Sequence, residues 1–160
     1  MKIPKTIYLT YKEKPPSRVL LRWKLLNPHY KIDFSLDKDC IDFLNKYFNS
    51  KIADLFKNIK IGMFKADLWR ICKLYIHGGY YADIDLVPLY PLDKIGFKEN
   101  TFYSSRGMDN MQIFQAFMAT PPKNPLLLAL LCHFYKINHT KNLILSQING
   151  LDQLLICIIL

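Results

Sequence analysis

The sequence predicts an α/β fold, a sheet whose strands are joined through helices by right-handed crossovers. Two observations carry that expectation: short β-branched or apolar segments alternate with amphipathic helical ones from the start, and a long helical stretch leads through a glycine pair into another strand. With 160 residues and 51% hydrophobic content, the chain has enough apolar surface for one core and too little length for two, so a single domain spanning 1–160 is expected. Sheets of this class bind ligands beyond the carboxyl ends of their strands, which directs attention to the loop around Tyr11 and to whatever follows the later strands.

Taken in order, Ile3 to Leu9 reads as a first strand, closed by the loop that ends at Pro15 and Pro16. Ser17 is placed to cap a helix over about Arg18 to Leu26, which must stop before Asn27-Pro28 because proline pushes the residue before it out of the helical region. Tyr30 to Phe34 alternates as a second strand. Lys38 to Lys60 has helical composition, with Ile41, Leu44, Tyr47 and Phe48 on one face. Phe64, Leu68, Ile71, Cys72 and Tyr75 then recur at i, i+4, i+7, i+8 and i+11, one stripe of a long helix that ends at His77-Gly78-Gly79, where glycine can take a left-handed cap. A charged His77 is expected there, favoured by the helix dipole. Tyr80 to Val87 has strand composition, Thr101 to Tyr103 is a further short strand, and Leu126 to Tyr135 is an apolar helix. Leu154 to Leu160 is either a buried last element or an exposed sticky end.

The formal charge of +9 is lopsided: residues 1–80 hold 16 Lys and Arg against 7 acids, and residues 81–160 hold 6 against 6. Of the 22 basic residues 18 are lysine, without runs, whereas base readout and bidentate phosphate clamps favour arginine. The balance reads as a solvated lysine surface with a diffuse attraction for phosphate or an anionic membrane face, and no nucleic-acid partner is expected. Cys40, Cys72, Cys132 and Cys157 form no Cys-x-x-Cys pair and have no histidine at zinc spacing, so they read as free thiols, with Cys72 and Cys132 as small buried hydrophobes. No apolar run exceeds seven residues, and the first residues lack the apolar core of a secretory signal. The expectation is a cytoplasmic protein without a transmembrane segment, in contact at most with a membrane face.

The chemistry concentrates between Ile61 and Leu89. In a strand with a period of two, Asp83 and Asp85 point to the same side, and two carboxylates close together in an apolar segment repel unless a cation stands near. A divalent ion held by one or two carboxylates, with open positions for a substrate phosphate, is an economical answer, and hard oxygen ligands suit Mg²⁺ or Mn²⁺. Asp67 and Arg70, at i and i+3 on the preceding helix, read by spacing alone as a surface ion pair.

The run from Phe64 through Asp67, Arg70, Gly78-Gly79 and Tyr80-Tyr81-Ala82-Asp83-Ile84-Asp85 resembles the glycosyltransferases with a DXD sugar-binding motif. These include fungal outer-chain mannosyltransferases, capsular-polysaccharide transferases and the glucosyltransferase domains of clostridial toxins. Ile3 to Tyr8 resembles the family's first strand, and Gln112 to Pro125 a later segment, so that the likeness covers residues 3 to about 125. It implies a GT-A type, Rossmann-like nucleotide-sugar-binding fold, C-terminally short beside most members. It also implies a metal-dependent, retaining transfer of a hexose from a UDP- or GDP-sugar to a glycan, lipid or protein acceptor. Position by position, Asp67 and Arg70 would contact the nucleotide sugar, Asp83 the ribose or sugar, and Asp85 the Mn²⁺ or Mg²⁺, with Asp83 beside it as the second metal-site carboxylate; Tyr81 would line the same pocket. Arg70, Asp83 and Asp85 would carry the catalysis, by stabilising charge on the leaving diphosphate rather than by supplying a nucleophile. Tyr8 and Tyr11 stand where the family usually has His and Trp, so Tyr11 would stack on the base, and Gln115 stands where Asn is common. These departures motivate a second reading, a catalytically silent sugar-nucleotide or glycan-binding remnant; a third is a basic module that binds phosphate or nucleic-acid surfaces.

Overall fold

The computed structural model describes residues 1–106 and 113–139. Its elements are β1 (Thr6–Thr10), α1 (Ser17–Leu26), β2 (Lys31–Ser35), α2 (Asp37–Tyr47), α3 (Ser50–Asn58), α4 (Gly62–His77), β3 (Gly79–Ala82), β4 (Tyr103–Arg106), β5 (Ile113–Thr120) and α5 (Pro125–His139). They form one five-stranded sheet in the order β2-β1-β3-β5-β4. β1 runs parallel to both β2 and β3, while β5 is antiparallel to β3 and to β4, so four strands share one direction and β5 opposes them. The α/β expectation holds. The segment Leu154–Leu160 and residue Gln112 lie outside the described residues.

Side-chain alternation sorts the sheet into two cores. Ile7, Leu9, Tyr80, Ala82 and Ala119 face α1, where they meet Trp23, Tyr30 and Leu92. Tyr8, Tyr81 and Met118 face the other way, onto α2, α3, α4 and α5, where Trp69, Leu44, Phe56 and Leu130 are buried. No described helix is long and apolar enough to cross a membrane.

Several elements differ from their expected form. Lys38–Lys60 is two helices, because the chain turns at Phe48 and restarts at Asn49, whose side chain accepts a hydrogen bond from the Ile52 amide at 3.1 Å. Ser17 is the first helical residue of α1 rather than its cap, a position held by Pro16 without a side-chain bond. The strand expected over Tyr80–Val87 ends at Ala82, because Ile84 and Asp85 turn, with the Leu86 amide bonded to the Asp83 carbonyl at 3.1 Å. Asp83 and Asp85 therefore share a side by virtue of a turn rather than of strand periodicity.

The glycine pair behaves as expected. Gly78 (φ 61°) and Gly79 (φ 103°) both lie in the region open to glycine, and a Cβ on Gly79 would stand 2.8 Å from the Thr6 carbonyl oxygen. This close approach lets α4 reverse straight into β3 beside β1. His77, by contrast, is not the dipole-stabilised cation expected: burial against the Phe43 and Tyr47 rings lowers its pKa, with Lys73 adding to the shift. Cys72 is fully buried in the core, but Cys132 is exposed, since it falls on the outer face of α5.

Candidate functional site

At the carboxyl ends of β1 and β3 lies a cleft of about 680 Å³ lined by residues from the β1 loop, the start of α4 and the turn after β3. Tyr11, Arg70, Tyr81, Asp83 and Asp85 all contribute to its wall. Asp67 does not: it stands behind Arg70 as that residue's buried partner. Thus residues separated by more than 70 positions in the chain meet because the parallel pairing of β1 with β3, with Tyr8 opposite Tyr81, brings both strand ends to one edge.

Arg70 organises the floor. It is only 3% exposed, and its guanidinium donates from Nη2 to Asp67 Oδ1 at 2.5 Å, from Nη1 to the Gln115 carbonyl at 2.6 Å and from Nε to the Ala66 carbonyl at 3.3 Å. Nη1 also stands 3.6 Å from Asp83 Oδ1, and the guanidinium carbon lies 4.6 Å from the centre of the Tyr81 ring. The Asp67–Arg70 pair is therefore not the surface pair that spacing alone suggests. Its depth follows from α4 presenting both residues toward the sheet, and such a pair is tolerated only because its donors are nearly all satisfied.

Asp83 closes the set. The Tyr81 hydroxyl donates to its Oδ1 at 2.5 Å, the atom that also faces Arg70, which leaves Oδ2 clear of both contacts. Burial is the main cause that raises the Tyr81 pKa well above its ordinary value, so the phenol keeps its proton and stays a donor. Asp85, two residues on, is exposed on the cleft wall and makes no ion pair with another described residue. One carboxylate is thus held by the protein and the other is presented to the cleft. Among the described residues no cluster of three or more His, Cys, Asp or Glu side chains stands ready to hold a metal ion alone. Two hard oxygen donors on one wall suit an ion that takes its remaining ligands from a substrate's phosphates and from water, so the residues fit Mg²⁺ or Mn²⁺.

Sequence reasoning did not single out the lysines of the cleft. Lys12, Lys60 and Lys65 line it, with Lys65 paired to Asp37 at 2.5 Å and set over the Phe56 ring. The excess of basic residues in 1–80 was the available signal, but without topology nothing assigned three of them to one cleft. Thr10, whose hydroxyl donates to the Ser35 carbonyl at 2.9 Å, and Gly62 and Met63, which open α4, complete the wall near Tyr11.

Comparison with known proteins agrees with this architecture. Residues 17–102, more than half of the chain, match the family described as "Glycosyltransferase sugar-binding region containing DXD motif". The chain belongs to that family, and all three residues of its Asp83-Ile84-Asp85 triplet line the cleft. It is 38% identical over 102 residues to the initiation-specific alpha-1,6-mannosyltransferase of Candida albicans, a match covering 57% of this chain and 26% of that relative. The chain therefore spans about a quarter of that relative's length. Its structure is similar to that of the PaToxG glycosyltransferase, with a TM-score of 0.70, 16% identity, and coverage of 96% of this chain and 68% of that one. The fold is of the GT-A type.

Proposed function

We propose that the chain is a metal-dependent transferase that moves a hexose from a UDP- or GDP-sugar to a hydroxyl of a glycan, lipid or protein, with retention at the anomeric carbon. The observation that carries this reading is the placing of Asp83 and Asp85 on one wall of a cleft whose volume, about 680 Å³, suits a nucleotide sugar. Asp85, with Asp83 beside it, would hold Mn²⁺ or Mg²⁺, which when bound offsets negative charge on the donor's diphosphate.

The remaining work falls to the chain's own residues. Tyr11, half-exposed at the rim, offers a face for the base. Lys12, Lys60 and Lys65 line the cleft and offer ammonium groups to the diphosphate, offsetting the carboxylates of Asp83 and Asp85 on the same wall. Arg70 and Tyr81 fix Asp83 so that it meets the donor's ribose or sugar in one orientation, and Asp67 fixes Arg70. The buried guanidinium beneath the cleft is also a preorganised positive charge near the leaving diphosphate, which lowers the barrier without needing a protein nucleophile. A cytoplasmic place of action accords with the free thiols of Cys40, Cys72 and Cys132.

The test is release of UDP or GDP from a panel of nucleotide sugars in the presence of Mn²⁺, with and without simple sugar acceptors. Release from one donor, abolished by a chelator, supports the reading. A folded protein that releases neither nucleotide from any donor contradicts it.

A further inference from the structure

Among the described residues the outward face of α1 is left uncovered. Val19, Leu20, Trp23 and Leu26 supply the helix's inner side, with Trp23 and Leu20 packed into the core shared with Ile7 and Leu92. A second stripe runs along the other side: Arg18, Leu21, Arg22 and Leu25 fall at i, i+3, i+4 and i+7, all exposed, with Leu21 at 52% and Leu25 at 71%. A helix that is apolar toward its core and carries apolar groups again on its solvent side has more hydrophobic surface than folding uses.

A second exposed apolar pair, Leu89 and Tyr90, lies on a loop tied to the end of this helix. The Asn27 side chain at the end of α1 accepts a hydrogen bond from the Leu92 amide at 2.8 Å, which pins the loop descending from Asp85 to the helix. Tyr90, 58% exposed, comes two residues before Leu92 and so lies within about 7 Å of it, and Leu89 beside it is 89% exposed. The charge on the helix side is mostly basic: residues 12–31 hold six Lys or Arg (Lys12, Lys14, Arg18, Arg22, Lys24, Lys31) against the single acid Glu13, which lies 3.8 Å from Lys12, while Asp93 after the loop is paired with Lys5 at 2.8 Å.

We propose that Leu21, Leu25, Leu89 and Tyr90, framed by Arg18 and Arg22, form a docking surface for an anionic lipid bilayer. Leucines insert below the headgroups, arginines meet lipid phosphates, and a tyrosine suits the boundary between them. A nucleic-acid backbone would match the arginines but leave the leucines in water. A second copy of the chain set on this face by a twofold axis would bring Arg18 and Arg22 close to their own counterparts, which like charge opposes. Because the docking loop begins at Asp85, a docked chain holds its cleft close to the bilayer surface, where an acceptor attached to the membrane would stand. The proposal does not depend on transfer activity.

The test is sedimentation of the full chain with vesicles of phosphatidylcholine alone or with about one third phosphatidylserine. Binding to the anionic vesicles only, weakened by salt and reduced about tenfold or more by Leu21→Ser with Leu25→Ser, is the expected result. Leu89→Ser, in the loop rather than the helix, should reduce it as well, and each variant is checked for an unchanged melting temperature. Three results overturn the proposal: no sedimentation of the natural chain with anionic vesicles; binding that salt weakens but the serine variants leave unchanged, which marks a diffuse lysine attraction; and a dimer in light scattering that Leu21→Ser with Leu25→Ser dissolves, which assigns the face to a second copy.

Discussion

Arg70 Nη1 lies 3.6 Å from Asp83 Oδ1, and this approach ties the middle of α4 to the end of β3 through a side chain that is almost wholly buried. The same guanidinium holds Asp67 and the Gln115 carbonyl. One residue thus joins the helix, the central strand and β5 at the floor of the cleft.

Replacing it should therefore damage both stability and site. Arg70→Ala leaves the buried carboxylate of Asp67 without its cation, and breaking a buried pair from one side costs about 3–5 kcal/mol. Urea denaturation should show a loss of that order, and Arg70→Lys should recover only part of it, since an ammonium cannot reproduce three divergent donors.

The glycine turn sets a second expectation. Gly79→Ala forces a side chain into φ 103° and places its Cβ 2.8 Å from the Thr6 carbonyl oxygen. Thermal or chemical unfolding should show a cost of about 2 kcal/mol or more, whereas Gly62→Ala, with no atom within 4 Å of its Cβ, should be close to neutral or stabilising.

His77 gives stability a pH dependence of known sign. Its pKa is lowered in the folded chain from an ordinary value of 6.5, so below about that pH the unfolded chain binds more protons. The stability that His77 contributes is present above pH 6.5 and is lost as pH falls through the folded-state value. Urea midpoints measured between pH 7.5 and pH 5 should fall toward acid, by about the ordinary histidine window. His77→Phe should flatten that part of the slope.

Tyr11 bears on the base end of the cleft. Tyr11→Ala should weaken nucleotide binding by about 1 kcal/mol, or roughly fivefold, if the ring stacks on the base, while Tyr11→Trp should restore or exceed the natural affinity. Fluorescence or calorimetric titration with UDP and GDP would measure both.

Much of this was legible from the residues. The order of elements from β1 to β3, the glycine reversal at Gly78-Gly79 and the run from Asp67 to Asp85 all carry local signals, because periodicity and glycine punctuation act over a few residues, whereas the strand β5 (Ile113–Thr120) was not read as one. What the sequence could not supply came from tertiary contact. Asp67 and Arg70 look like a surface pair until the sheet is placed beneath α4. The charge of His77 depends on Phe43 and Tyr47, more than 29 residues away. The end of β3 at Ala82 reflects a turn at Ile84-Asp85 inside a segment whose apolar composition favours a strand. The break between α2 and α3 was hidden for a related reason: Phe48-Asn49 lacks glycine or proline, and only the cap formed by Asn49 reveals it.

The central claim is that Asp85 presents a carboxylate to a metal-bound sugar nucleotide in this cleft. The most direct measurement is calorimetric titration of the chain and of Asp85→Asn with UDP- and GDP-sugars, each with Mn²⁺ and with a chelator. The account predicts that the natural chain binds one of these donors in a Mn²⁺-dependent manner, and that Asp85→Asn loses this binding by about a hundredfold with its melting temperature unchanged, since an exposed side chain contributes little to the fold. Equal donor affinity in the two proteins, or affinity indifferent to Mn²⁺, would contradict it.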